Sequence, residues 1–376
     1  MTQKISIVGD GIIGKMVAVA LHDLNFDVTV FHNEQSKKTN ERYFSINLLS
    51  RHLFEDCNIW PAIKTKGTNP YCKIITWDNL QPEEVLFESC NIGESDLAYV
   101  ISESNILNAI NSKIQKKSIK FESINNLNDN LNKYDYAINT INNNHSSTCS
   151  ETRYKTNYEQ KAIVMNIDVD NSSNVAYQKF LDGQILGLIP ISNKSYNLIW
   201  SVDDKKTDNI LKKTKNEMIH FLNSELEEKI GKIRDCSSYD IFPLFGYLGK
   251  DCFNEKIIYI GSALHSVHPL AGLGLNMGLQ DIYCLTSKIK KNSKHIDTLL
   301  LYEFQDFIRS VNKQTYYGIN FLKKFYCDFT SPNLRKYLLS IFNSNVTLRK
   351  SVIRFATGLQ TKDKISKQLR RLQLQE

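Results

Sequence analysis

Lys4-Ile5-Ser6-Ile7-Val8-Gly9-Asp10-Gly11-Ile12-Ile13-Gly14-Lys15 opens with a β-branched apolar run and passes directly into three spaced glycines. The run predicts a buried strand, and residues 15–24 repeat apolar side chains at helical spacing. A second strand-like run, FDVTVF at 26–31, completes a βαβ start of about thirty residues, the size of a mononucleotide-binding unit. In such a unit Gly9 permits the turn, Gly11 admits a pyrophosphate to the backbone, and Gly14 lets the helix meet the strand. The first helical amides, at Ile12 and Ile13, and the helix dipole then hold the phosphates. An acidic residue for the ribose hydroxyls belongs about twenty residues on. The strand instead ends Phe31-His32-Asn33-Glu34. His32 or Asn33 occupies the usual place and either can hydrogen-bond a hydroxyl, Glu34 follows it, and a plain surface turn is an equally good reading.

Further along, residues 45–60 read as a helix, 73–77 and 84–87 alternate as strands, and 104–114 read as a second helix. Residues 118–150 are dense in Asn, Lys and Ser, with only 134–138 strand-like. Four strand candidates at 162–169, 176–180, 184–190 and 196–202 have hairpin-like spacing, which predicts a mainly antiparallel sheet. A helix over 209–229, a strand at 239–244 and a buried strand at 257–260 follow, and everything from 296 onward reads helical.

A chain of 376 residues with 41% hydrophobic content is expected to fold as two closely packed domains. Its net charge of +7, from 47 basic and 40 acidic residues, is too dispersed for a nucleic-acid partner. The cysteines at 57, 72, 90, 149, 236, 252, 284 and 327 form no CxxC pair, so reduced thiols and no metal are expected. Lys4 precedes a strand rather than a secretory apolar stretch, and no run approaches the roughly 20 apolar residues of a membrane span. A cytoplasmic protein is the expectation, with peripheral contact at the inner face of the cytoplasmic membrane as an extension of it.

A second glycine region at 261–281 reads GSALHSVHPLAGLGLNMGLQD. Small residues follow Pro269, and a helix is expected to start near Gly274 with its positive end toward the preceding loop. The order His-x-x-His-Pro-Leu-Ala-Gly-x-Gly-Leu-Asn-x-Gly-Leu-x-Asp resembles the second flavin-binding motif of the FAD-dependent hydroxylases of ubiquinone biosynthesis, a branch of the group A aromatic flavin monooxygenases. The resemblance continues at Glu41-Arg42, at 97–103, at 158–164, at Gly187-Leu188-Ile189-Pro190, at Pro243-Leu244, and at Phe355-Ala356-Thr357-Gly358 in the tail.

That resemblance implies an α/β fold: a Rossmann-like FAD-binding domain, an inserted, mainly antiparallel substrate sheet, and a C-terminal helical region. The FAD-binding parts would be 1–70, 96–160 and 249–295, the substrate parts 71–95 and 161–248, and the helical region 296–376. It places FAD on Gly9, Gly11, Ile12, Ile13, Gly14, His32, Asn33 and Arg42, and its ring on Ser262, Pro269, Gly272, Gly274, Leu275 and Asn276. NAD(P)H or another electron donor would serve as reductant. His265 and His268 read as packing or loop-holding residues, and no side chain is named as a catalytic base. The implied activity is ring hydroxylation of a polyprenylated phenol or quinol.

Two departures from the family pattern qualify the expected activity. Ser262 stands where the family has a carboxylate for a ribityl hydroxyl, and the loss of charge predicts weaker flavin retention. Asn139-Thr140-Ile141-Asn142-Asn143-Asn144 stands where the family has an Asp-Gly loop serving flavin and pyridine nucleotide. The alternative is a member that has lost catalysis and acts as a scaffold subunit of a quinone-biosynthesis complex. The tail from Arg349 to Arg371 mixes apolar residues with eight basic ones and one acid, Asp363. It suits either an anionic membrane surface or, by preference, a helix with its apolar stripe against the body.

Overall fold

The structure, a computed structural model, describes residues 2–32, 40–79, 84–124, 131–142, 151–170, 173–328 and 331–373. The chain opens with β1 (Lys4–Val8), α1 (Ile12–His22) and β2 (Asp27–His32). Next come β3 (Tyr43–Asn47), α2 (Leu48–Asp56), α3 (Trp60–Lys66), β4 (Asn69–Tyr71), β5 (Lys73–Asp78) and β6 (Val85–Glu88). β7 (Ala98–Ser102), α4 (Glu103–Ile114), β8 (Lys120–Ser123) and β9 (Tyr136–Asn139) follow. The middle holds β10 (Thr152–Val169), β11 (Val175–Leu181), β12 (Gln184–Ser192), β13 (Ser195–Asp203), α5 (Asp204–Leu211), α6 (Lys215–Ile230), β14 (Ile233–Cys236) and β15 (Asp240–Gly249). β16 (Phe253–Asn254), β17 (Ile257–Tyr259) and β18 (His265–Ser266) lead into α7 (Gly274–Lys291). The tail is α8 (Thr298–Lys323), α9 (Pro332–Ser344), α10 (Val346–Ala356) and α11 (Leu359–Gln373).

Three sheets organise these elements. The first runs β16-β17-β9-β1-β2-β8, with β17, β9, β1, β2 and β8 mutually parallel. β1 therefore lies at the centre, and successive strands depart from it to either side. In an open parallel sheet that reversal leaves a crevice beyond the carboxyl ends of the central strands, where ligands bind. The second sheet runs β18-β15-β10-β13-β12-β11-β5-β6, with β14 also on β10, and is antiparallel except for β11 against β5. β3, β7 and β4 form a small third sheet.

One core joins the first sheet to α1, α4, α7 and α8 through residues such as Ile7, Met16, Val28, Ile106, Leu285 and Phe304. A second lies under α6, where Trp200 is fully buried, stacks on Phe221 at 5.0 Å and donates its indole N–H to Gln184 at 3.0 Å. Each large apolar side chain removed from water in this way contributes about 1.5–3 kcal/mol.

Two sequence expectations change. Residues 45–60 are not one helix: 43–47 pair antiparallel with β7, and the helix begins only at Leu48, where Asn47 accepts the Ser50 amide at 2.9 Å. The stretch 209–229 is two helices, because Thr214 and Glu217 form a reciprocal capping box that starts α6 afresh. In the tail, Ile353, Leu359 and Ile365 are buried against the body, as the preferred reading of that segment held.

Candidate functional site

The carboxyl end of β1 is built from backbone. Gly9 has φ +108°, a conformation that L side chains rarely adopt, and its amide donates to the Phe31 carbonyl at 2.9 Å. A Cβ on Gly14 would sit 1.8 Å from the Gly9 carbonyl oxygen, so the helix can run this close to the strand only with glycine there. Gly11 is different: it is the N-cap of α1, a Cβ on it would meet nothing within 4 Å, and no side chain caps the helix. α2, α4, α6 and α8 start on the side-chain caps Asn47, Ser102, Thr214 and Asp297. The space left open at Gly11, where α1 begins, fits a diphosphate.

Strand ends converge on this turn. The Thr140 hydroxyl donates to the Val8 carbonyl at 2.9 Å, and the Ser262 hydroxyl donates to the Thr140 carbonyl at 2.9 Å. The Ser262 carbonyl accepts from the Tyr247 hydroxyl. The Ile13 side chain wedges between two more glycines: a Cβ on Gly278 would fall 2.7 Å from it, and one on Gly261 3.2 Å. Ile12 is buried, His32 ends β2 beside this turn, and Asn33 lies outside the described residues.

Beyond Ser262 the chain is held by two buried histidines. His265 Nε2 lies 2.7 Å from Asp281, whose carboxylate also accepts the Gly261 amide at 3.0 Å and the Asn312 amide group at 3.3 Å. His268 Nδ1 accepts the Leu270 amide at 3.1 Å, so its proton is on Nε2, donated to Gln160 Oε1 at 3.0 Å. Gln160 in turn donates to Asp203 at 2.9 Å. Burial, with Lys323 nearby, lowers the His268 pKa to about 3, so the ring is a neutral strut. Both histidines therefore hold the loop, as expected from the sequence.

The loop they hold turns at Pro269 and at Gly272, φ +60°, and enters α7 at Gly274 with no side-chain cap. Asn276 locks it. Its Oδ1 accepts the Asn47 amide at 3.0 Å and the Ser50 hydroxyl at 2.8 Å, while its Nδ2 donates to the Ser45 carbonyl at 2.7 Å and the Gly272 carbonyl at 3.0 Å. All four hydrogen-bonding positions of the amide are used. This uncapped helix start, framed by glycines, thus fits a flat ring that carries negative charge when reduced.

A cavity of about 370 Å³ separates this loop from the large sheet. Pro269, Gly272, Gly274 and Leu275 form one wall, and Ile185, Leu188 and Ile199 contribute to the opposite one. A second, mostly apolar chamber of about 170 Å³ reaches Phe180, Leu322, Tyr326 and Ile353. The two share Ser45, Tyr71, Ile74, Gln178 and Leu270. At that neck Gln178 Nε2 is buried and has no hydrogen-bond partner among the described residues. Tyr71 is bonded to Ser45 at 2.7 Å, and burial pushes its phenol pKa up, so it stays neutral. Among the described residues the lining contains no Asp, Glu or His.

Gly9, Gly11, Ile12, Ile13, Gly14 and Ser262 thus come together at one end of the crevice, and Pro269, Gly272, Gly274, Leu275 and Asn276 at the other. Arg42 lies with the second group: it lines the larger cavity and forms a two-pronged pair with Glu103 at 2.8 and 2.5 Å. Asn47, Ser50 and Gln178 are site residues the sequence reading did not single out. An N-cap pattern ahead of Leu48 was the available signal for Asn47 and Ser50, hidden by the helix expected to start at 45.

Comparisons with known proteins agree with this geometry. The FAD binding domain family matches residues 143–313. The ubiquinone biosynthesis monooxygenase COQ6 of Danio rerio is 23% identical, covering 94% of this chain and 89% of that protein. Pseudomonas aeruginosa PqsL, solved in complex with 2-aminobenzoylacetate, superposes with a TM-score of 0.73 at 15% identity, covering 91% of this chain and 100% of that one. Klebsiella pneumoniae HpxO, solved with FAD and uric acid, gives 0.67 at 12% identity over 94% and 97%. The two solved structures establish the fold, the match at 143–313 includes the Pro269–Asn276 end of the crevice, and the similarity to COQ6 extends over 94% of the chain. The chain thus has the fold of the flavin monooxygenases solved in those structures, carries an FAD binding domain match over 143–313, and is similar along nearly its whole length to ubiquinone biosynthesis monooxygenases.

Proposed function

We propose that this chain hydroxylates the aromatic ring of a polyprenylated phenol or quinol, with FAD held between Gly9–Gly14 and Pro269–Asn276 and NAD(P)H or another donor as reductant. The observation that carries the reading is the pair of joined cavities. The larger, against the loop at Pro269, has room for an aromatic head, and the apolar chamber beyond Gln178 suits the start of a prenyl chain. Gln178 Nε2, buried and unmatched, is placed to donate to a ring oxygen at the neck.

When bound, FAD supplies the redox chemistry that activates dioxygen. This chain's residues bind, orient and exclude water. The first amides of α1 hold the diphosphate, and the start of α7 stabilises negative charge on the ring. Among the described residues the cavity walls offer apolar and neutral polar side chains with Arg42, a lining that suits a neutral, electron-rich ring such as a phenol. The test is turnover: the FAD-loaded protein should oxidise NAD(P)H, or accept electrons from another donor, and add one oxygen to a prenylated phenol. Protein that binds FAD tightly yet gives no oxygenated product from any such phenol would overturn the reading.

A second reading, a non-catalytic scaffold subunit of a quinone-biosynthesis complex, is favoured by one observation. The Ser262 hydroxyl is already spent on the Thr140 carbonyl rather than directed at a cofactor. Colourless protein with no affinity for added FAD would end the hydroxylase reading and favour that alternative.

A further inference from the structure

α9 is amphipathic in the opposite sense to an ordinary surface helix. Leu334, Tyr337, Leu338 and Ile341 recur at i, i+3, i+4 and i+7 and would normally face a core. All four are exposed, Tyr337 at 62%. The face turned to the protein carries polar groups instead: Arg335 is buried and pairs with Asp78 at 3.0 Å, and Asn343 donates to the Glu84 carbonyl at 2.9 Å. Leu339 and Phe342 complete the inward side, Phe342 packing on Phe87 at 5.9 Å. The helix is thus fastened by polar anchors while its apolar stripe points outward.

The stripe has neighbours in sequence of the same kind. Phe321 and Tyr317 at the end of α8 are 63% and 50% exposed, and Val346 and Leu348 at the start of α10 are also exposed. Single exposed apolar residues need no explanation, but a helical stripe with such flanks marks an interaction surface. Charge selects the partner. Residues 313–363 contain nine Lys and Arg against two acids, Asp328 and Asp363; with Arg335 paired inward to Asp78 and Arg354 paired to Asp363, seven basic residues (313, 323, 324, 336, 349, 350, 362) stand against Asp328. A second copy of the chain docked on this surface would oppose cation to cation, whereas an anionic bilayer matches both the charge and the apolar stripe. No described helix is long and apolar enough to cross a membrane, so contact would be with its surface.

We infer that α9, with the end of α8 and the start of α10, is a docking face for an anionic lipid surface. Its apolar stripe enters the headgroup layer while the surrounding lysines and arginines meet lipid phosphates. The apolar chamber is lined by Leu322, next to the exposed Phe321, and by Val352 and Ile353 of α10, so it adjoins two of the elements that flank α9. A prenyl chain leaving the bilayer would therefore enter the chamber directly. That route rests on the substrate class proposed above; the docking face does not.

The experiment is flotation of the purified full chain with phosphatidylcholine vesicles containing about one-third phosphatidylglycerol, compared with pure phosphatidylcholine. The wild type should float with the anionic vesicles and release in high salt. The double variant Leu334→Glu, Leu338→Glu, with both positions exposed and outside the cavities, should lose binding by roughly ten-fold or more. Tyr337→Trp should add a fluorescence component that shifts to the blue with anionic vesicles. Equal flotation of wild type and double variant, no flotation of the wild type, or no blue shift would each overturn the inference. So would a wild-type dimer that the double variant converts to monomer, which would mark the face as protein-binding. If flotation separates the two proteins but neither oxygenates a phenol, soluble or embedded, the docking face stands and the reaction reading fails.

Discussion

At the Gly9–Gly14 end of the crevice the walls are backbone, and what matters is the absence of side chains. At the Pro269–Asn276 end the same task falls to side chains from distant elements, with Asn276 tied to Ser45, Asn47, Ser50 and Gly272 and His268 tied to Gln160. The first end tolerates no added atom at Gly14, and the second no missing polar group at 276. At the first end, on the side that leads toward Pro269, sits Ser262, where the hydroxyl serves the protein's own Thr140. Sterics and loop geometry have been kept at both ends, and the departures from the family pattern fall on polar contacts in between.

The largest effect is expected where the backbone is tightest. Gly14→Val places its Cβ 1.8 Å from the Gly9 carbonyl, so strand and helix must separate. We expect a loss of about 3 kcal/mol or more in urea unfolding, and no flavin retained through purification. Gly11→Ala is the control, since its Cβ meets nothing within 4 Å. It should leave unfolding unchanged while weakening FAD binding, because the added methyl occupies the approach to the amides. If both variants lose stability equally, the contrast between packing glycine and ligand glycine is broken.

Asn276→Ala tests the other end at a smaller scale. It removes four hydrogen bonds and leaves the buried Asn47 amide without its partner. The expected cost is about 2–3 kcal/mol, with FAD affinity reduced because the Gly272 turn is released. Asn276→Asp retains the acceptor oxygen and should recover part of the stability. A variant that unfolds like the wild type would show that the amide is not what locks the loop.

The two ends also differ in how far they can be read from sequence. The requirement at Gly9, Gly11 and Gly14 is local: three glycines within six positions, directly after a strand, carry their steric reason with them. The side-chain lock joins Asn47 to Asn276 across 229 positions, and only the folded chain brings them together. The small strand at 43–47 was hidden for the same reason. Its SINLL run suits a helix as well as a strand, and the choice is made by pairing with β7. α9 deceives in another way. Its apolar period is plain, and the usual rule would bury Leu334 and Tyr337, yet Arg335 and Asn343 decide which side faces in. Periodicity gives the helix and its stripe; partners elsewhere in the chain give the direction.

The smallest and most discriminating effect is expected at Ser262. Replacing it with aspartate removes the hydroxyl donated to the Thr140 carbonyl, at a cost of about 1 kcal/mol. A carboxylate cannot remain beside that carbonyl oxygen, since both are acceptors, so the side chain must swing toward the crevice. There it can accept a charge-assisted hydrogen bond from a flavin hydroxyl, roughly twice as strong as a neutral one. Ser262 is exposed, so the fold should tolerate the change. We therefore expect Ser262→Asp to tighten FAD binding by about ten-fold, measured by titration against flavin fluorescence, with unfolding shifted by no more than about 1 kcal/mol. A dissociation constant that is unchanged or larger would mean that position 262 does not face the ribityl chain. The gap between the two ends of the crevice would then have to be bridged by other residues.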